Sequence, residues 1–364
     1  STQTFTVTVN STPIVPSIQV NGGAWQQTAS ATVYAGDTVN LEGQLLSTGS
    51  WSWTGPSGFT AATRVINAVP LRSATNSYTL TYTAAGVTST QVFTLTVRAT
   101  PIIPYIQVNG GAWQQTASVS VNVGDTVNLG GQLLSTGTWS WTGPSGFTAA
   151  TRVINAISLK SATNSYTLTY TAAGVSSTQV FTVTVKSTPI TPYVQVNGGA
   201  WQQTASVAVN AGDAVTLGGQ QLSTGTWSWT GPNGYTAATR VINAIPLTSP
   251  TNSYTLTYTN ADGVTSTQVF TITVNSTPIV PYVQVNGGAW QQTASLAVSS
   301  GTTVNLGGQQ LSTGTWSWTG PNGFTAATRV INAVPLASGT NSYTLKYTNT
   351  AGVQSTQIFT ITDN

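Results

Sequence analysis

No cysteine, methionine or histidine occurs in the 364 residues. The first absence rules out disulfides, so every domain must be held by its core alone; taken by itself it does not report a redox compartment. Without His or Cys there is no Ser-His-Asp or Cys-His nucleophile and no zinc site built from the usual ligands. A chain free of Cys and Met also suits long exposure to oxidants outside a cell. Charge is nearly as scarce: nine Lys+Arg and six Asp+Glu make 4% of the chain, against roughly 25% in ordinary globular proteins. The net charge of +3 is spread without a basic cluster, which excludes a nucleic-acid footprint. No apolar run approaches the ~20 residues of a membrane span. No charged-then-apolar leader stands at Ser1, so secretion is an expectation from composition.

What is present is 39% hydrophobic residues, twelve Trp and an abundance of Thr, Ser, Asn, Gln and Gly. That is enough apolar material for packed cores, with hydroxyls and amides taking the place of charge at the surface. The string S-T-Q-x-F-T begins at Ser1, Ser89, Ser177, Ser266 and Ser355, at spacings of 88, 88, 89 and 89 residues. T-P-I-x-P, V-N-G-G-A-W-Q-Q-T, W-S-W-T-G-P-[SN]-G, A-A-T-R-V-I-N-A and N-S-Y-T-L-x-Y-T return once in every period. A period of this length is one small domain rather than a solenoid turn. The expected division is 11–98, 99–186, 187–275 and 276–364, preceded by a surplus strand over 1–10.

Each period reads as strands. Tyr78, Leu80 and Tyr82 alternate with Thr79 and Thr81, and Phe93, Leu95 and Val97 with Thr94 and Thr96, as half-buried strands require. Val39 with Leu41 and Trp51 with Trp53 mark two more, and Gly55-Pro56-Ser57-Gly58 and Gly36-Asp37 are turn signals. No segment carries helical periodicity. About seven short strands per period, with a turn every 8–12 residues, predicts an all-β two-sheet sandwich. Val39-x-Leu41-x-Gly43, then Trp51-x-Trp53, then Tyr78-x-Leu80 resembles the B, C and F strands of immunoglobulin-like domains. The resemblance places the family's two cysteine positions on Gly43 and Leu80 and its tyrosine corner on Tyr78. W-T-G-P-N-G-[FY] is similar to immunoglobulin-like and PKD-like repeats of bacterial secreted glycoside hydrolases and cell-surface adhesins. What the resemblance implies is four tandem immunoglobulin-like sandwiches without disulfides, serving as spacer, adhesive or sugar-binding modules.

The periods are joined by Thr12 to Pro16, Thr100 to Pro104, Thr188 to Pro192 and Thr277 to Pro281. Two prolines three residues apart favour stiff polyproline II backbone, and five residues leave neighbours nearly touching. Ile14, Ile102, Ile190 and Ile279 are expected to seal those joints. Domains strung end to end this way predict a rod of roughly 150 Å. In the surplus strand Phe5, Val7 and Val9 form one apolar face. It reads either as the remnant of a preceding domain or as a donor strand that completes or extends a sheet in the next molecule.

Residues able to carry chemistry are few. Asp37, Asp125 and Asp213 are one recurring turn position, replaced by Thr302 in the last period. No period offers the facing pair of carboxylates a glycosidase needs, and lone Asp residues are poor calcium sites. Lys160, Lys186 and Lys346 stand at non-equivalent positions, against a repeated isopeptide cross-link. No catalytic residue, metal site or cofactor is expected. Arg64, Arg152, Arg240 and Arg329 recur without an acidic partner before the corner Tyr, so each is expected to bond loop carbonyls or lie on a Trp face, with lateral or ligand contact as the second reading. Trp25, Trp113, Trp201 and Trp290 sit in glycine-loosened G-G-A-W-Q-Q segments. With Gln26, Gln114, Gln202 and Gln291 beside them they have the composition of a sugar platform, stacking from the indole and orientation from the amide. The bland reading is that these Trp seal a domain edge or joint. The sequence therefore predicts a non-enzymatic extracellular or surface rod, stalk, adhesin segment or fibre subunit. Its partners would be itself or a glycan; the alternative is a carbohydrate-binding array of a secreted polysaccharide-degrading enzyme.

Overall fold

The computed structural model describes residues 1–364 and divides into two compact units, Ser1–Lys186 and Ser187–Asn364, each holding two sandwiches. In the first repeat the strands are β1 (Pro16–Val20), β2 (Ser30–Tyr34), β3 (Val39–Gly43), β4 (Ser50–Gly55), β5 (Phe59–Ala61), β6 (Val65–Ile66), β7 (Thr75–Ala84) and β8 (Val87–Arg98). β1-β3-β6 make one sheet and β2-β8-β7-β4-β5 the other; every pairing is antiparallel except β2 with β8. The same eight strands in the same order recur in the other three repeats. The first strand is thus split, β1 serving one sheet and β2 the other. These are immunoglobulin-like sandwiches.

Alternation does what the pattern requires. Along β7 Asn76, Tyr78, Leu80 and Tyr82 point inward and are buried, as a period of two dictates. Val39, Leu41, Trp53, Tyr78, Leu80, Phe93 and Leu95 are fully buried. Trp53 is the central pin: its ring lies 5.1 Å from that of Phe93, and its Nε1–H donates to the Thr63 carbonyl at 2.9 Å. Trp51 faces the same side, half-buried, 4.6 Å from the Tyr82 ring. Gly43 and Leu80 do face one another between the sheets: a Cβ on Gly43 would come within 3.0 Å of Leu80 Cδ2 and of the Trp51 ring. Leucine and indole fill the space a disulfide would take.

The Tyr78 hydroxyl donates to the Pro70 carbonyl at 2.5 Å, eight residues upstream, which is the tyrosine corner. Tyr166 and Tyr254 do the same to Ser158 and Pro246, each at 2.7 Å. Burial pushes all four corner tyrosines up, Tyr254 to about 12 with Tyr235 adding to it; at Tyr78 the nearby Arg72 works partly against it. An unfolded tyrosine loses its proton near pH 10. The folded chain therefore holds more protons than the unfolded one above that pH, and stability falls as pH rises. At Tyr254 the contribution is complete below about pH 10 and is lost toward pH 12, and the other three lose theirs in the same direction above pH 10. A pH series of denaturant midpoints is expected to be level up to pH 9 and to drop across that interval.

Two expectations are corrected. Ile14, Ile102, Ile190 and Ile279 are buried, but Ile190 and Ile279 lie in the core clusters of the repeats that follow them, not in joints. The linker is pinned to that same repeat. Gln44 accepts the Val15 N–H through Oε1 at 2.7 Å and donates through Nε2 to the Pro13 carbonyl at 2.8 Å, and Gln132, Gln220 and Gln309 repeat both bonds. The second proline of each linker is the first residue of a strand, where a missing N–H is tolerated. Ser1–Asn10 is exposed and pairs with no strand of this chain, since an extended segment becomes a strand only against another edge.

Candidate functional site

The recurring Asp stays a turn residue. Asp37 Oδ2 accepts the Tyr34 N–H at 2.7 Å and Oδ1 accepts the Asn21 side-chain amide at 2.8 Å. Asp125 is held the same way, and its hydrogen bonds from Asn109 and Asn122 keep its carboxyl below the usual range.

The recurring Trp and Arg belong to one site on the outer face of the three-stranded sheet. The chain turns after β1 through Asn21 and Gly22, both at positive φ (51° and 69°), and folds back so that Gln26 exchanges two backbone hydrogen bonds with Ile18 at 2.9 Å. That bridge sets Trp25 beside the sheet. In the third repeat the Trp201 ring reaches to 3.8 Å from where a Gly218 Cβ would lie, and in the fourth Trp290 reaches to 3.7 Å at Gly307. These rings are not sealed in joints; Trp25, Trp113, Trp201 and Trp290 are 38, 41, 44 and 41% exposed. The site is built within one repeat each time.

Arg64, Arg152, Arg240 and Arg329 come to the same place from the opposite side. Each follows the short loop before the sixth strand of its repeat and donates Nη1 to the carbonyl of the last glycine of the third strand, Gly43, Gly131, Gly219 or Gly308, at 2.7–2.8 Å. The expectation of a carbonyl partner holds, with a strand carbonyl in place of a loop one. Between Trp and Arg lie open clefts of 360, 340 and 320 Å³ in repeats two, three and four. Their third wall is a tyrosine the sequence reading passed over: Tyr105, Tyr193 and Tyr282, directly across the ladder from Gly130, Gly218 and Gly307. The small partner leaves room for Val153, Val241 and Val330 and, in the third and fourth repeats, for the Trp ring.

The amides differ from expectation. Gln26 and its equivalents hold the loop through their backbone, and the glutamines lining the third and fourth clefts are Gln220, Gln221, Gln309 and Gln310. Gln220 and Gln309 are already engaged with their linkers, which leaves Gln221 and Gln310 at the rim. Leu133 takes that rim position in the second repeat.

Phe5 and Val7 are 81 and 85% exposed and Val9 52%. Each of the four repeats already contains its own copy of this strand, in Val87–Arg98, Val175–Val185, Thr265–Val274 and Gln354–Asp363. No sheet is left with that position vacant for a donor to complete.

No family model matches the chain, and no curated protein matches it. Among solved structures it is similar to the N-terminal four Ig domains of Dscam1 isoform 6.44, at 10% identity over 96% of this chain and 99% of that one, with a TM-score of 0.22. For the four-domain Dscam1 isoform 6.9 the values are 12%, 93%, 97% and 0.23. For the N-terminal eight Ig domains of Down Syndrome Cell Adhesion Molecule isoform 1.30.30 they are 12%, 92%, 53% and 0.27. Superpositions at these scores carry nothing about function.

Proposed function

We propose that the chain is a non-enzymatic, extracellular adhesive array in which rigid immunoglobulin-like repeats present the same ligand-contacting cleft several times over. One observation carries this reading: in three repeats an indole about two-fifths exposed shares one open cleft with an Arg and a Tyr on a hydrogen-bonded sheet. Aromatic rings left partly exposed beside fixed polar groups are the usual build of a sugar contact. Weak single contacts multiplied along one chain give useful avidity. The composition, without oxidisable thiols or thioethers, supports an extracellular setting, as does the resemblance to bacterial secreted repeats. No helix is long and apolar enough to cross a membrane. The same clefts would equally equip a carbohydrate-binding array attached to a polysaccharide-degrading enzyme.

The test is a panel of soluble neutral and acidic polysaccharides titrated into the full chain while indole emission is followed. At least one glycan is expected to shift or quench the exposed rings, and W113A/W201A/W290A is expected to remove that response. A flat panel retires the reading.

A further inference from the structure

We propose that the clefts of repeats two, three and four take a carboxylate carried on a sugar ring, that is, a uronic-acid unit of an acidic polysaccharide, and that the first repeat is a closed copy of the same site filled by its own Glu42. This rests on the glycan reading above and narrows it.

The four repeats are nearly identical, so the places where one departs are informative. At the wall of this site the first repeat departs twice. Ser17 stands where the others have Tyr105, Tyr193 and Tyr282, and Glu42 stands where they have Gly130, Gly218 and Gly307. The two departures face each other across one rung of the ladder, Ser17 opposite Glu42. The Glu42 carboxylate reaches the recurring arginine: Arg64 Nη1 donates to Glu42 Oε2 at 2.8 Å while keeping its bond to the Gly43 carbonyl. In the other three repeats Arg152, Arg240 and Arg329 keep the carbonyl bond alone, and no acidic residue lines the cleft.

A purely structural arginine, clipping the end of a strand, explains the carbonyl bond in all four copies. It does not explain why the carboxylate and the tyrosine replace one another. Occupancy does: where the chain supplies the anion itself the aromatic wall is absent, and where it does not, the wall is kept and the guanidinium still has N–H donors to give. Glu42 shows which chemistry that arginine head accepts. A planar fork of donors matches a carboxylate better than a hydroxyl or an amide.

The remaining walls choose what the carboxylate is attached to. Trp and Tyr offer ring faces to the C–H face of a sugar, Gln221 and Gln310 offer amides to its hydroxyls, and a cleft of 320–360 Å³ suits a body of about one ring. A second copy of this chain is a poor source of the anion. It has six acidic residues in 364, of which Asp37, Asp125 and Asp213 are tied into turns and Glu42 is spent.

The experiment follows the Trp Nε1–H and Arg Nε–H resonances of the full chain during titration with trigalacturonate, its methyl ester and triglutamate. Trigalacturonate is expected to saturate three equivalent sites per chain, more weakly as salt rises. The methyl ester is expected to bind at least about tenfold more weakly, the fold-change that goes with losing a charge-assisted hydrogen bond. G130E/G218E/G307E brings the first repeat's carboxylate into the other three and is expected to abolish binding. A Cβ there presses on the neighbouring valine at 2.9–3.0 Å, a fit the first repeat already makes with Glu42 and Val65. Should that triple variant not fold, R152Q/R240Q/R329Q keeps an amide donor for the strand carbonyl and is expected to lose binding too. S17Y/E42G is expected to open a fourth site. Equal binding of ester and acid overturns the carboxylate inference and leaves the glycan reading standing. Binding of triglutamate but not trigalacturonate overturns the sugar. Unchanged binding in a folded Gly→Glu triple variant overturns the site. No response to any carbohydrate removes the parent reading itself.

Discussion

Trp229→Ala is expected to cost the third repeat about 3–5 kcal/mol, the range for emptying a buried aromatic site. Trp229 is 1% exposed, its ring is 5.2 Å from that of Phe270, and it sits at the middle of a cluster with Val215, Leu217, Leu256 and Ile272. No disulfide ties the two sheets together, so the remaining packing alone limits how far they separate when the pin is gone. The substitution also strands the Thr239 carbonyl, which accepts the indole N–H at 2.9 Å. In guanidinium the change is expected to appear as one repeat's share of the amplitude moving to lower denaturant while the rest holds, since stacked domains unfold partly on their own. Trp229→Phe separates the terms: it keeps most of the ring and forfeits the hydrogen bond, at about 1 kcal/mol. A single unshifted transition in the alanine variant would show that the ring is not the pin.

Gly231→Ala is the second large effect, and its size comes from a neighbour rather than from the backbone. Gly231 has φ −159°, extended and open to any residue. The added methyl, however, would sit 2.5 and 2.6 Å from Cδ1 and Cε1 of Tyr254 and 3.4 Å from Tyr235 Cβ, where carbon atoms need about 3.5–4.0 Å. Tyr254 cannot swing away, being fully buried with its hydroxyl on the Pro246 carbonyl. The expected cost is about 3 kcal/mol, the upper end for overpacking, with loss of the corner hydrogen bond. Gly234, three residues on, is the control. It has φ +75° but nothing within 4 Å of an added Cβ, so alanine there costs only the left-handed penalty of about 1–2 kcal/mol. Thermal midpoints of the two variants, side by side, decide which glycine of Gly231-Pro232-Asn233-Gly234 matters more. The reverse order would sink the steric argument.

That pair also shows where the sequence could and could not be read. G-P-N-G is legible as a turn, and a turn it is, with Asn233 and Gly234 both at positive φ. What is invisible along the chain is that Gly231 belongs to a tyrosine ring twenty-odd residues away. Sheets, repeats, the buried Trp53 and the corner Tyr78 were legible because alternation and a fixed period are local signals. Asn76 shows nothing along the chain, yet it is fully buried and holds the Arg72 N–H and the Ser73 carbonyl, at 2.9 and 2.7 Å. Equally invisible is the pairing of Glu42 with Arg64, 22 residues apart and joined only by the β3–β6 register. Half of the cleft, the Trp and the Arg, stood out as recurring residues. The tyrosine wall did not, since a Tyr in a strand looks like any other. Column-by-column comparison of the four repeats, which flags Ser17 and Glu42 together, was the signal that could have found it.

The glutamine clamp has a consequence for how such a chain grows. Each Thr-Pro-Ile linker gives its isoleucine and its backbone partners to the repeat after it, and Ser177 and Ser266 of the long last strands donate to Thr100 and Thr188 of those same linkers at 2.6 Å. Every bond of this set closes between one Thr-Pro-Ile and the next. A gene duplicating or dropping that stretch would therefore leave each surviving linker with its glutamine and serine bonds intact, and the number of clefts could change by whole units in a single recombination event.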